Sequence, residues 1–265
     1  MAYDIKALKT RIKSVDSTYH LTKAMGLVAS SKVRRATEAM INALSFESSL
    51  ADAMDSLSSC KSCESSPYMR NSGDKTKIIV IAGDRGLAGG YNNNIFRTAR
   101  NYSGVTFFPI GKRACDKYGE GYISCEKFSS NDADELTDKL LREFENGDFD
   151  RLGIISTKYI SMMKQEPVVK WIFPIEHKEV SSSGTIFEPN EEEVFPTVVK
   201  LYVSGTIMSS VRESFASEVA ARRVAMDAAG KNAKKMIDDL TIKYNRARQG
   251  AITQEITEIV AGAGR

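Results

Sequence analysis

Proline is absent from both ends of this sequence of 265 residues. All six prolines lie between Pro67 and Pro196. Proline breaks helices more strongly than any other residue, so no such break interrupts residues 1–66 or 197–265. The two ends are therefore free to form long helices.

Histidine and cysteine are also scarce, which limits the chemistry the chain can perform. The only histidines, His20 and His177, lie in unrelated segments, so no Ser/His/Asp or Cys/His arrangement is indicated and no catalytic residue is predicted. Four cysteines are too few for a disulfide scaffold. Cys60 and Cys63 have the C-x-x-C spacing of half a zinc site or a redox pair, but no second pair follows. We interpret them as ordinary reduced thiols and predict no metal site.

Long hydrophobic runs are missing as well. The longest, residues 78–82, is far too short to cross a bilayer. The first residues contain no apolar core of a signal peptide, and the acidic Asp4 and Asp16 fit a transit peptide poorly. We therefore expect the chain to remain in the cytosol and to meet a membrane only through partners.

The net charge of +3 conceals a division along the chain. Residues 1–40 carry 8 Lys/Arg and 3 Asp/Glu, residues 197–265 carry 11 and 7, and residues 41–196 carry the remaining 18 and 24. The ends are basic and the middle is acidic, which favours an acidic partner for the ends, either a nucleic acid or an acidic protein surface.

Apolar or small residues recur at steps of three and four through the first 57 residues. This spacing is typical of one long coiled-coil helix, on the order of 80 Å in length, rather than a short amphipathic helix. The apolar seam, with a phase adjustment after Tyr19, consists of Ile5, Leu8, Ile12, Val15, Tyr19, Met25, Ala29, Val33, Ala36, Met40, Ala43, Phe46, Leu50, Met54 and Leu57.

The last segment has a similar seam, rich in alanine, which allows close approach of a partner helix. Two such helices can pair antiparallel within the chain if the middle folds back, or each can serve another chain in an oligomer. The seam residues are Met208, Val211, Phe215, Val219, Met226, Ala229, Ala233, Ile237, Leu240, Tyr244, Ala247 and Ala251.

Between these helices, strands alternate with helices, which predicts an α/β layer with a largely parallel sheet. We predict three segments: an N-terminal helix in 1–66, an α/β domain in 67–190 and a C-terminal helix in 191–265. Asp132 and Asn190 are the expected caps of two helices. The predicted strands are 78–82, 105–110, 152–156 and 168–175, and the predicted helices are 87–100, 112–118 and 133–145.

A glycine-rich turn follows the first predicted strand, where phosphate-binding loops occur in α/β proteins. Residues 83–92 read GDRGLAGGYN. The spacing is not G-x-G-x-x-G, and no Gly-Lys-Ser/Thr follows to place a lysine and a hydroxyl on phosphate and magnesium. We interpret this segment as a tight structural turn and predict no cofactor.

Three stretches in order along the chain resemble one family, the gamma subunit of rotary ATP synthases. The first is residues 12–32, with IKSV, LTKAM and VASSK; the second is DRGLAGGYN at 84–92, where Ala88 stands in place of the family's usual cysteine. The third and most specific is YNRARQGAITQEITEIVAGA at 244–263. The resemblance therefore spans the whole chain.

This resemblance implies the fold and the partners. The terminal helices should form an antiparallel coiled coil beside a Rossmann-like α/β domain. The coil should be the central rotor shaft within a ring of alpha and beta subunits, which hold the nucleotide sites, and the α/β domain should rest on the c-subunit ring with epsilon alongside. The expected place is the cytoplasmic face of the bacterial plasma membrane, as a peripheral, non-catalytic subunit.

The resemblance also implies interface residues. Lys23 and Met25 should lie near an acidic lever of the beta subunits, and Arg248 and Gln249 should meet a catch loop of beta. Tyr202 should face the c ring. Two other kinds of function stay open from the residues alone: a nucleic-acid-binding coiled coil, which the acids among the basic ends disfavour, and a nucleotide-dependent enzyme resting on residues 83–90.

Overall fold

The computed structural model describes residues 2–69, 73–177 and 186–263, with side chains from residue 5 onward. Two long helices and a four-stranded sheet make up most of the chain. The helices are α1 (Ala2–Ser58), α2 (Tyr91–Ala99), α3 (Lys112–Tyr118), α4 (Ser130–Glu145) and α5 (Glu191–Ala263); the strands are β1 (Thr76–Ile81), β2 (Thr106–Ile110), β3 (Arg151–Ser161) and β4 (Lys164–Phe173).

The sheet has the order β2-β1-β3-β4. Strands β2, β1 and β3 are parallel, and β4 runs antiparallel to β3. The prediction of a largely parallel sheet is confirmed. The antiparallel edge arises because only two residues separate β3 from β4, and a parallel neighbour would need a crossover of a dozen residues or more.

The core lies on both faces of this sheet. On one face, Ile79 and Ile154 pack with α4, the end of α1 and the first turns of α5. On the other face, Ile78 and Val80 pack against α2 and α3. This layering is that of an α/β domain, as predicted.

The caps of two helices differ in how well they were predicted. Asn190 accepts a hydrogen bond from the amide of Glu193 through its side chain and begins α5 as predicted. Asp132 is not the cap of α4, contrary to the prediction: Ser129 is, and Asp132 lies three residues inside and completes a capping box. Hydrogen bonds from Ser129 to its carboxylate lower the pKa of Asp132 below its usual value.

Contacts divide the chain into two compact units: a terminal unit (Met1–Ala29 with Arg223–Arg265) and a central unit (Ser30–Arg222). Both α1 and α5 contribute to each unit. The predicted boundaries at 66/67 and 190/191 separate the long helices from the α/β segment, whereas the compact units divide the helices themselves. The predicted boundaries remain a prediction.

In the terminal unit the two helices run antiparallel. A Cβ added to Gly26 would lie 3.6 Å from the Cβ of Met226, and one added to Gly230 would lie 3.6 Å from Oγ1 of Thr22. The contact thus moves from Gly230 back to Met226 on α5 as it moves from Thr22 forward to Gly26 on α1, which is the pattern of antiparallel helices. The pairing lies within one chain, which answers the alternative of separate partners.

In the central unit α1 and α5 are also antiparallel. Ala36 and Met40 pack with Ala216, and Leu50 lies against Gly205, where a Cβ would come within 2.7 Å of its Cδ1. Phe46 also contacts Gly205, as the seam predicts, but its side chain is 55% exposed. The adjacent Glu47, which the seam does not include, is buried. Glu47 is held there by an ion pair with Lys170 and by a 2.6 Å hydrogen bond from Ser209.

Among the described residues, α5 is the one helix whose length and composition would allow part of it to cross a membrane. Half of that part is buried inside the protein. The buried core helix of a water-soluble protein can have the same length and composition, so direct membrane contact is not indicated by this helix.

Candidate functional site

The glycine-rich turn lies at the carboxyl end of β1, between the neighbouring strands β2 and β3. This is the point at which successive connections leave the sheet in opposite directions, where open α/β sheets bind their ligands. Gly90 precedes the first residue of α2. The loop therefore lies where an anion could bind. The groups that its backbone amides bind show whether it is available for this.

The carboxylate of Glu218, from α5, occupies this position. It accepts hydrogen bonds from the amides of Asp84 and Arg85, each at 3.3 Å, and Glu218 is only 1% exposed. A Cβ on Gly83 would lie 2.8 Å from its carboxyl carbon, so glycine is needed for the carboxylate to approach. A side chain of the chain itself thus binds two amides of this loop.

Arg222 lies four residues after Glu218 on α5. It binds the same glycine-rich loop, but as a donor to backbone carbonyls, whereas Glu218 accepts from backbone amides. Its Nε donates to the carbonyl of Gly86 and its Nη2 to the carbonyl of Arg85, both at 3.2 Å. It also forms an ion pair with Glu218. The backbone of Arg85 is therefore held at its amide by one side chain and at its carbonyl by the other.

The side chain of Asp84 fixes the turn to a second loop. Its carboxylate accepts from the hydroxyl of Ser124 and the amide of Cys125 at 2.7 Å each, and from the amide of Glu126 at 3.1 Å. We call Glu218, Arg222 and residues 83–86 the helix clamp. The sequence analysis missed Glu218 and Arg222; the available signal was an acid–base pair four residues apart among small apolar residues.

Two further hydrogen bonds fix α5 near the clamp. The hydroxyl of Tyr91 donates to the carbonyl of Ser214 at 2.9 Å, and the amide of Thr157 donates to the Ser214 hydroxyl at 3.1 Å. Burial raises the pKa of Tyr91 well above its usual value, so the phenol stays neutral and keeps its proton as a donor.

Four of the five predicted interface residues lie in the terminal unit. Lys23, Arg248 and Gln249 are exposed, and Met25 is half-buried. Because Gly26 lies against Met226, Lys23 is level with about residue 229, and Arg248 lies about 30 Å farther along α5. The structure therefore separates the two predicted contact regions and does not combine them in one site.

The fifth, Tyr202, belongs to the central unit. It is half-buried and packs against the larger core cluster, so only part of its side chain is available to a partner. Its neighbour Leu201 is 46% exposed. The role of this surface stays a prediction.

The end of α5 carries an apolar stripe that the sequence analysis did not identify. Its residues recur at steps of four, three and one, which places them on one face of the helix. They are exposed by 47% to 70%, beyond the last predicted seam position, Ala251. The stripe consists of Ile252, Ile256, Ile259 and Val260.

The C-x-x-C pair lies just after α1. Cys60 is half-buried, Cys63 is buried, and both are free thiols. Burial, assisted by the nearby Glu191, raises the pKa of each above its usual value. Both therefore stay protonated, and no group of three or more metal-binding side chains is found in the described parts of the chain.

Comparison with known proteins gives one consistent result. The profile of the family described as ATP synthase matches residues 4–264. An ATP synthase gamma chain from Ruminococcus albus is 40% identical, over 97% of this chain and 96% of that relative. A gamma chain described as sodium ion specific, from Acetobacterium woodii, is 34% identical over 99% of each.

Solved structures have the same fold. A chain from the OSCP/F1/c-ring structure of the Euglena gracilis mitochondrial ATP synthase matches with a TM-score of 0.69, covering 98% of this chain and 94% of that one. The identity is 16%, so this likeness concerns the fold alone.

Proposed function

This chain belongs to the gamma-chain family of ATP synthases, and from that premise we propose that it is the central rotor shaft of a proton-translocating ATP synthase. Rotation of the c-subunit ring turns the chain. The turning chain then drives the catalytic ring of alpha and beta subunits through its binding states, for ATP synthesis or hydrolysis.

The observation that carries this proposal is the antiparallel pairing of α1 and α5 within one chain. A pair of different helices has no threefold symmetry, so it presents a different face to each of three equivalent partners. Such differential contact is what shifts a conformational equilibrium in one partner and not in the others. Rotation of the pair then passes each state to the next partner.

We infer two levels of contact with the alpha and beta subunits. Lys23 and Met25 would meet an acidic lever of beta, and Arg248 and Gln249 a catch loop about 30 Å farther along the helix. The apolar stripe at 252–260 suits an apolar lining of the same ring. Tyr202 would face the c ring, and epsilon would bind beside the α/β domain; no nucleic acid is involved.

The chain itself is proposed to be non-catalytic and to have no nucleotide site. The amides of Asp84 and Arg85 bind Glu218, and no lysine and hydroxyl follow the turn to hold phosphate and magnesium. Calorimetry of the purified chain with ATP should show no binding. Micromolar binding that Gly89→Val abolishes would contradict this part of the proposal.

The proposed location is the cytoplasmic face of the bacterial plasma membrane, reached through partners. Fractionation tests this: the chain should sediment with membranes containing the complex and appear in the soluble fraction when the c ring is deleted. Sedimentation with protein-free lipid vesicles of the same lipids would argue for direct membrane binding instead.

Rotation is the decisive experiment. The complex is assembled with this chain, fixed to glass through its beta subunits and supplied with ATP, and a bead is attached through Glu120→Cys, an exposed loop position of the central unit. The bead should rotate in one direction, while a bead on an alpha subunit stays still. ATP hydrolysis at the full rate while the bead on the central unit stays stationary would overturn the proposal.

A further inference from the structure

The helix clamp holds α5 at Arg222, the last residue of the central unit. We propose that Glu218 and Arg222 are positioning residues for torque: they fix α5 to the carboxyl edge of the sheet so that neither turns without the other. This inference rests on the proposed function and assigns the coupling inside the chain to a named pair of side chains.

Directional contacts between α5 and the rest of the central unit occur at several residues from Ser204 onward, and within the described residues only at the clamp do two side chains of α5, paired with each other, bind the same loop. Earlier in α5, Phe195, Val199, Val203, Ile207 and Val211 are spaced by four and are almost completely buried. Burial of apolar surface stabilises without regard to direction, so it opposes separation of the helix more than its turning. Hydrogen bonds weaken steeply as their angles open, and the clamp has four of them between α5 and the turn.

Glu218 and Arg222 act as one unit because each satisfies the other. A carboxylate that is 1% exposed is costly to bury unless it is paired and hydrogen-bonded. Its charge is matched by the guanidinium and by two amides. Loss of either side chain therefore weakens every bond between α5 and the turn.

The clamp extends into the sheet through Asp84. The turn follows β1, and the Asp84 carboxylate binds three donors of residues 124–126. A turning force on α5 is thus received by two loops at the same edge. This also gives a physical role to three of the residues that carried the family resemblance: Asp84, Arg85 and Gly86.

A charge swap separates the clamp from an ordinary helical ion pair. Glu218→Arg with Arg222→Glu keeps an acid and a base four residues apart, so a role in helix stability alone would be restored. The clamp would not be restored, because the amides of Asp84 and Arg85 would face a guanidinium, which has no acceptor. Glu218→Gln and Arg222→Lys are milder variants that guard against misfolding, since lysine keeps the charge and loses the planar fork.

The experiment measures ATP hydrolysis and ATP-driven ion pumping together, in membrane vesicles containing the assembled complex. We expect all three variants to assemble and hydrolyse ATP but to pump fewer ions per ATP. The rate of uncoupled turnover should rise roughly tenfold, the factor that corresponds to one lost hydrogen bond to a charged group. Asp138→Asn is the matched control, because it removes a half-exposed ion pair that also ties α5 to another element, through Lys200, and it should leave coupling unchanged.

Hydrogen exchange of the full chain tests the geometry independently of the complex. The amides of Asp84 and Arg85 should exchange about tenfold faster in Glu218→Gln than in the wild type. Wild-type coupling in the charge swap, or unchanged exchange at both amides, would overturn the inference. A wild-type chain that neither assembles nor rotates would instead refute the proposed function, so the two failures are distinct.

Discussion

Gly26 of α1 lies directly against Met226 of α5, where a Cβ on the glycine would be 3.6 Å from the Cβ of the methionine. This Cβ–Cβ separation is within the range that a disulfide spans. A Cβ at this position would make an ordinary van der Waals contact, so side chains placed here on the two helices would face each other.

Cysteines at these two positions should therefore cross-link within one chain. Gly26→Cys with Met226→Cys, with the four native cysteines changed to serine, should form a disulfide under mild oxidation, read as a faster-migrating monomer on a non-reducing gel. Gly26→Cys with Asp227→Cys is the control, because Asp227 is exposed and points away from the contact. Dimers without a cross-linked monomer would contradict the antiparallel pairing.

Gly111 and Gly119 should differ sharply in their tolerance of a side chain. Both have positive φ, at 93° and 102°, but a Cβ on Gly111 would lie 1.9 Å from the carbonyl oxygen of Ala82, whereas one on Gly119 meets nothing within 4 Å. We expect Gly119→Ala to lower the free energy of unfolding by about 1–2 kcal/mol through backbone strain alone, and Gly111→Ala by about 4 kcal/mol or more. Urea unfolding of the two variants measures this; equal losses would show that the clash is relieved.

The contribution of Glu213 to the free energy of unfolding should become more favourable to the folded state as the pH falls. Burial is the main cause that raises its pKa above 4.5, partly offset by the Tyr159 amide and by Lys170 and Lys158, with Glu47 adding to the rise. The folded state therefore binds this proton more tightly than the unfolded state, so stability from this carboxyl increases as pH falls through the folded pKa and is lost as pH rises.

Glu213→Gln removes this contribution while keeping an oxygen to accept from Tyr159. The unfolding free energy of the wild type, minus that of the variant, should become more positive as the pH falls from neutral toward 4.5. Urea titrations of both proteins at matched pH values give the difference. The opposite trend would mean that the carboxylate is stabilised by its lysine neighbours rather than penalised by burial.

Arg248→Glu should slow the assembled complex without unfolding the chain. Arg248 is exposed, so its replacement leaves the core intact. A lost hydrogen bond between a charged group and a partner subunit costs about 1.5–3 kcal/mol, which corresponds to a loss of turnover of roughly ten- to a hundredfold. The measurement is ATP turnover and ion pumping of reconstituted complex, with assembly checked on a native gel.

Arg246→Glu is the matched control for Arg248→Glu. It makes the same change of charge on the same exposed stretch, about 200° around the helix. Equal effects of the two variants would indicate a general electrostatic attraction, and wild-type turnover in Arg248→Glu would show that its contact carries no torque.

The long helices were predictable because their burial follows a local period. In α1, Ile5, Leu8, Ile12, Val15 and Tyr19 are half-buried between exposed neighbours, as the seam predicted. The spacing of three and four is visible in any short window of sequence, and the absence of proline allows it to continue. Local information was sufficient for these elements.

Glu47 and Glu218 could not be placed in this way. Glu47 is buried because Lys170 and Ser209, 123 and 162 residues away, bind its carboxylate. Glu218 is buried because a turn more than 130 residues earlier offers it two amides. Hydropathy assigns both to the surface, and only the fold reveals the distant partners.

The start of α2 was predicted four residues early. Leu87 and Gly89 have positive φ, at 62° and 61°, so residues 87–90 turn and the helix begins at Tyr91. Their composition is compatible with a helix. Gly89 and Gly90 nevertheless lower the helix propensity of this stretch, and glycine adopts positive φ without strain.

The contact between Gly26 and Met226 joins residues 200 positions apart in the chain. During synthesis at about 5–20 residues per second, α1 therefore leaves the ribosome about 10–40 seconds before the part of α5 that covers it. Throughout that interval its apolar seam is in water, available to chaperones and to other nascent chains. The rate of translation thus sets how long one half of the helix pair waits without the other.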